Sequence, residues 1–175
     1  MYLWVALKLK EDFANNVRQQ CKTINKDVNV CVDALRLPAH ISLKISFLIE
    51  DNDKQMHIEN IINLIKRKLP LKVQTNKIVK FNNIIWVTYD DNKVLDDLHN
   101  ELDEMLLSYG ISKHEYDYEF KFHSTLFIDE NIDKINEIYD KIKDIDVRKE
   151  EIIDTIIIGE SYDGINFKET VSIKI

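Results

Sequence analysis

The strongest pattern along the chain is an alternation. Ile41, Leu43, Ile45 and Phe47 take turns with His40, Ser42, Lys44 and Ser46 over eight residues. A period of two marks a half-buried β-strand, because successive side chains on a strand point to opposite faces. Tyr2 to Leu9, aromatic and β-branched and bounded by charge, reads as a strand as well. Glu11 to about Thr23 carries helical spacing through Phe13, Val17 and Cys21, and Val28 to Arg36 has no firm period and reads as extended.

Further along, Asp53 is placed to cap a helix with the stripe Ile58, Ile61, Ile62, Ile65 and Leu69, stopped by Pro70. Strands follow at Leu71 to Phe81 and Ile84 to Tyr89, joined by a turn at Asn82-Asn83. A second helix runs from about Asn92 to Ser108 through Leu95, Leu98, Leu102 and Met105, with Gly110 as its stop. Glu119 to Ile128 is the next strand, and Ile132 to about Ile145 a third helix with Ile135, Ile138, Tyr139 and Ile142 on one face. Ile152 to Glu160 and Asn166 to Ile175 close the chain as a hairpin around Asp163-Gly164.

The order of elements suggests a duplication. Trp4-Val5 recurs as Trp86-Val87 at an offset of 82, and His40-Ile41-Ser42-Leu43 as His123-Ser124-Thr125-Leu126 at an offset of 83. A nearly constant offset shared by elements and by a polar motif is the mark of an internal repeat. The expectation is one α+β domain over residues 1–175, made of two pseudo-symmetric lobes that meet near 82–84.

Composition narrows the class. With 45% hydrophobic and 31% charged residues in 175, the chain can bury a core, and three glycines and two prolines leave no room for a flexible linker. Apolar runs are too short for a membrane span, the start lacks a basic leader, and Cys21 and Cys31 form no CxxC pair, so a soluble cytoplasmic protein with free thiols is expected. The formal charge of −7 argues against capture of long duplex nucleic acid, whose affinity comes from neutralising many phosphates. A small phosphorylated ligand needs only one local pocket.

The chemistry lies in the two polar motifs. On a strand, residues i and i+2 share a face, so His40 stands beside the Ser42 hydroxyl and His123 beside that of Thr125, with Ile41, Leu43, Phe122, Leu126 and Ile128 toward the core. Two imidazoles with two hydroxyls suit attack on a phosphodiester. One neutral ring removes a proton, a protonated ring supplies one to the leaving oxygen, and the hydroxyls hold the phosphoryl oxygens. Histidine suits both roles because it titrates near neutrality.

These two tetrapeptides resemble the paired His-x-Ser/Thr-hydrophobic signatures of the two-histidine (2H) phosphoesterase superfamily, which includes 2′-5′ RNA ligase-like proteins and cyclic phosphodiesterases. The resemblance implies a bilobal pseudo-twofold α+β fold, with two antiparallel sheets flanked by helices and a central groove. It also implies metal-independent, cofactor-free action on 2′,3′-cyclic phosphates or 2′-5′ linked nucleotides and RNA ends, with ligation as the reverse reaction. His40 and His123 would be the acid-base pair and Ser42 and Thr125 the phosphate-holding hydroxyls, while Ser124 inherits no role.

Around the motifs, strand parity puts Lys44, Lys121 and Phe127 on the same faces, the lysines as charge for a phosphate and Phe127 as a platform for a base. Arg36, upstream of Pro38, could grip a phosphate through two hydrogen bonds. Each has an ordinary alternative: a solvated lysine or an aromatic packed between lobes. His57, His99 and His114 read as surface residues. His99 and Asp103 share a helical face, but two groups without a third do not make a metal site. There is no G-x-x-x-x-G-K-[ST] or G-x-G-x-x-G loop for ATP or dinucleotides. The rival readings are a nucleotide- or RNA-end-binding module without turnover, a metallohydrolase that uses the two histidines as ligands, and a structural protein with no groove.

Overall fold

The computed structural model describes residues 1–10, 16, 17, 19, 20, 22–24, 26 and 37–175. The described positions from 16 to 26 are helical. Cys21, Cys31, Arg36 and the extended reading of 28–36 lie outside the described residues. In order, the other elements are β1 (Tyr2–Lys8), β2 (His40–Ser42), β3 (Phe47–Leu48), α1 (Lys54–Ile65), β4 (Leu71–Phe81), β5 (Ile84–Tyr89) and α2 (Lys93–Ser108). Then come β6 (His123–Ile128), α3 (Ile132–Ile142), β7 (Glu150–Ile153), β8 (Thr155–Ser161) and β9 (Lys168–Lys174). No helix among the described residues is long and apolar enough to cross a membrane.

Two antiparallel sheets result. One has the order β2-β1-β8-β9, with β3 paired to β1 beyond β2; the other has the order β6-β5-β4-β7. The division between them does not fall at a single point of the chain: β4 lies in the second sheet, and β8 and β9 return to the first. The run expected as one strand, Ile152 to Glu160, is broken at Asp154, so that β7 pairs with β4 while β8 pairs with β1. That crossing ties the sheets together. Leu3, Val5, Leu7, Ile85, Val87, Leu98, Ile138, Ile156 and Ile158 all belong to one buried cluster. On the other face of the first sheet, Trp4, Ala6 and Ile157 form a small second cluster with Leu37 and Phe167.

Local chemistry sets the element ends. Asn92 accepts from the backbone N–H groups of Val94 and Leu95 and so caps α2, and Asn131 does the same for α3 through Asp133 and Lys134. Asp53 makes no such bond; a 3₁₀ turn over Asp51–Asp53 leads into α1 instead. Gly110 ends α2 with φ of 81°, a left-handed conformation that glycine adopts without cost. The strand expected from Glu119 begins only at His123, and α3 stops at Ile142.

The eight-residue alternation from His40 does not survive as one strand. β2 ends at Ser42, and the bend over 43–44 leaves both Leu43 and Lys44 buried. A strand cannot put two neighbours into one core, so the break is what allows Lys44 to turn inward.

Candidate active site

β2 and β6 are edge strands, one from each sheet, and they meet. The Ser124 hydroxyl of β6 donates to the carbonyl oxygen of His40 in β2 at 2.5 Å, and the Tyr89 hydroxyl donates in turn to Ser124 at 2.7 Å. Burial pushes the Tyr89 phenol well above its ordinary pKa, so it remains a donor. The unremarkable middle residue of the second motif is therefore the tether of the seam. Sequence reading gave Ser124 no role because nothing local shows which backbone its hydroxyl will reach.

Both histidines are held in the same way. His40 Nδ1 lies 2.7 Å from the carbonyl oxygen of Pro38, and His123 Nδ1 lies 2.6 Å from that of Lys121. A carbonyl only accepts, so each Nδ1 carries its proton and each Nε2 is the atom that exchanges one in the neutral ring. Each ring also packs on a tryptophan. Trp4 meets His40 edge-on at 4.5 Å, and Trp86 stacks on His123 at 4.1 Å with Phe81 continuing the stack on Trp86 at 5.6 Å. Burial holds His123 below the usual imidazole pKa, against a smaller opposing contribution from its hydrogen bond to the Lys121 carbonyl.

The motif hydroxyls share the faces of their histidines. Ser42 accepts from the indole N–H of Trp4 at 3.1 Å, and since that N–H can only donate, the serine proton is not used in this bond. Thr125 lies opposite Trp86 in the β5–β6 ladder. Trp4 can cover its position only because Gly159 faces it across the β1–β8 ladder: a Cβ there would stand 2.7 Å from the indole Cε3.

The Trp-Val repeat is not a structural equivalence. Ser42 faces Ala6 while Thr125 faces Trp86, so register aligns Ala6, not Trp4, with Trp86. The two tryptophans reach their histidines from positions two residues apart in the repeat.

The remaining candidates end up in different places. Lys44 is 2% exposed; its ammonium pairs with Asp117 and, at 2.8 Å, with Asp103, so it is neither a solvated lysine nor a group at the motif face. Lys121 is exposed just before β6, where its backbone carbonyl, bonded to His123, is the part that bears on the site. Phe127 is fully buried and Ile128 exposed, the reverse of their expected faces. The cause is a bulge: Ile85 faces Phe127 and Trp86 faces Thr125, so Leu126 is an extra residue that flips the parity beyond it.

His99 and His57 are buried rather than superficial. His99 Nδ1 faces the Leu43 carbonyl at 2.8 Å and Nε2 that of Asp117 at 3.1 Å, while its ring stacks on Phe120. Asp117, absent from the sequence argument, supplies the third group beside His99 and Asp103, with ligand atoms within 4.8 Å of one another. The Lys44 ammonium already bridges the two carboxylates, and Lys113 reaches Asp103 at 3.0 Å. The arrangement is a buried ion cluster with its cation supplied by the chain.

Antiparallel sheets whose touching edge strands each present a His-x-hydroxyl pair define a two-histidine phosphoesterase. The family model of the 2′-5′ RNA ligase superfamily matches residues 9–154, and the chain belongs to that family. Among solved structures, Escherichia coli LigT complexed with 3′-AMP is similar at 12% identity over 99% of this chain and 97% of that one, with a TM-score of 0.66. A protein described as a phosphoesterase (14% identity) and TT0787 of Thermus thermophilus (12%) have the same TM-score of 0.66 and the same coverage of 99% and 97%. At these identities the likeness is one of fold. No curated protein matches the chain closely enough in sequence to count as a relative.

Proposed function

We propose that this phosphoesterase opens 2′,3′-cyclic phosphates, or cleaves 2′-5′ linked nucleotides and RNA ends, by acid-base catalysis between His40 and His123 without a metal. The observation that carries the reading is the seam: two imidazoles with matching Nδ1 anchors and two same-face hydroxyls on abutting strands. Family membership supports the reaction class, and LigT has been crystallised with 3′-AMP, ATP and phosphate, which supports a small nucleotide as ligand.

The environment of His123 favours it as the base, and His40 takes the remaining role of acid. His123, depressed by burial, is neutral at physiological pH and takes the proton from water at Nε2. The water oxygen bonds to phosphorus as one ring P–O bond breaks, and the leaving ribose oxygen receives the proton of His40 Nε2, giving a phosphomonoester and an alcohol. Ser42 and Thr125 donate to the non-bridging oxygens as charge grows on them. Ligation uses the same pair with a ribose 5′-hydroxyl in place of water: its oxygen bonds to phosphorus as one ring P–O bond breaks, His123 takes its proton, and the freed ribose oxygen receives that of His40.

The test is incubation of the EDTA-treated protein with 2′,3′-cyclic nucleotides and 2′-5′ linked dinucleotides, followed by chromatography. Turnover unaffected by chelator is the expected result. Binding without turnover of any of them would favour the non-catalytic module, and activity lost to chelator and restored by a divalent metal would favour a metallohydrolase.

Gly159→Ala checks the Trp4 support. A Cβ at 2.7 Å from the indole forces the ring away from Ser42 and His40, and misplaced catalytic groups are costly, so turnover is expected to fall roughly 10- to 100-fold while the cyclic phosphate still binds. Unchanged kcat would show that the indole does not position the motif.

A further inference from the structure

The site is asymmetric in a way that the motifs do not reveal. The ladder partner of His123 is Thr88, whereas the partner of His40 is Lys8. Lys8 has the parity of Trp4 and Ala6, hence the face of His40 and Ser42, and it makes no ion pair among the described residues. The β1–β8 register, continued by one residue, puts Thr155 next to Lys8, and Lys174 pairs with Thr155 on the far side. His40, Lys8, Thr155 and Lys174 thus form one row across β2, β1, β8 and β9.

The row has a direction. β2 is the strand at the seam, and β1, β8 and β9 lie successively farther from β6. At about 4.8 Å per strand, Lys8 is one strand out from the catalytic pair and Lys174 roughly 14 Å out. Among the described residues, the only carboxylate in the contacts of this row is Asp154, which accepts from the Thr155 hydroxyl at 2.8 Å and lies 3.7 Å from the exposed Lys174 ammonium. On a chain of net charge −7, a half-buried lysine without a counter-ion among the described residues, next to a phosphodiester site, is a place for an anion.

We propose that Lys8, with Lys174 beyond it, forms a second anion subsite that holds the phosphate flanking the one under attack. This inference rests on the phosphodiesterase reading of the seam. It makes the preferred substrate an oligonucleotide end, not a lone cyclic mononucleotide, with the flanking phosphate laid outward over the first sheet.

Binding tests it independently of turnover, with adenosine 3′,5′-bisphosphate against adenosine 3′-monophosphate in calorimetric titrations at low salt. The intact protein is expected to bind the bisphosphate roughly tenfold more tightly, the effect of one charge-assisted contact. Lys8→Ala should remove that preference and leave the affinity for the monophosphate within about twofold, and Lys8→Arg should keep it, while added salt should shrink it. Equal affinities in the intact protein, an equal loss for both ligands in Lys8→Ala, or no binding of either would overturn the subsite. A bisphosphate preference in a protein that turns nothing over would instead overturn the catalytic reading alone.

Discussion

His40→Ala and His123→Ala are each expected to lower kcat/KM for a 2′,3′-cyclic nucleotide by about 10²- to 10⁴-fold, the usual contribution of a positioned general acid or base. The two losses should not multiply. The base and the acid act in one proton-transfer sequence, so the double variant should be little worse than the poorer single one. Folding should be nearly untouched, because the rings are held by backbone carbonyls at their own strand entrances and by tryptophan faces that persist without them. Thermal melts of the same preparations check that. Either variant with near-native turnover would remove that imidazole from the chemistry.

Lys44→Met is expected to have the largest effect on stability. The ammonium joins the buried carboxylates of Asp103 and Asp117, both fully shielded from solvent, and its loss leaves two carboxylates facing each other, with Lys113 and His99 beside Asp103 and the His114 backbone N–H on Asp117. Removing one partner of a buried ion pair costs about 3–5 kcal/mol, because the other charge remains without compensation. With a slope of about 1–3 kcal/mol/M, the urea midpoint should fall by roughly 2 M at an unchanged slope. Lys44→Met with Asp117→Asn should recover part of the loss. A midpoint within about 0.3 M of the parent would mean that the cluster is solvated and carries little energy.

The same cluster has a pH signature. Burial pushes Asp103 up, but the hydrogen bonds from Lys44 and Lys113 outweigh it and hold the carboxyl below its ordinary range. A carboxylate with a lower pKa in the folded than in the unfolded chain stabilises fully above the unfolded value, about 3.9, and loses that contribution as pH falls through the folded value. Acid unfolding of the parent should therefore show a contribution from Asp103 below about pH 4 that is reduced in Lys44→Met.

What could be read from the sequence follows from how local each feature is. His40, Ser42, His123 and Thr125 stood out because a period of two is visible within a few residues and the motif repeats. The strands follow from the same periodicity and the turn residues Asn82 and Gly164, both at positive φ, while their grouping into two antiparallel sheets is implied only by the family resemblance. Lys44 was misplaced because parity holds only while the strand lasts, and β2 ends two residues before it. What turns it inward is Asp117, 73 residues away.

Phe127 and Ile128 were exchanged by a single extra residue in β6, and nothing in Thr125-Leu126-Phe127 announces a bulge. Ser124 and Lys8 were missed for a related reason. The first acts across the seam between two sheets and the second through ladder register, and both depend on which strands become neighbours. A tyrosine and a serine at the ends of paired strands, Tyr89 and Ser124, were the only available hint of the first. A histidine on a polar helix is usually exposed, yet the two ring nitrogens of His99 find carbonyl oxygens from two other segments.

The pH dependence of kcat/KM of the intact protein, with EDTA present throughout, tests the two-histidine mechanism most directly. A bell is expected, its acid limb set by His123 and lying below the usual histidine value of about 6.5, since burial favours the neutral ring and lets the base survive into mild acid. His123→Ala should abolish that limb from the residual rate. No turnover in EDTA, with activity restored by an added divalent metal and then rising through pH 7 to a plateau with no descending limb, would contradict an imidazole pair and point to metal-bound hydroxide instead.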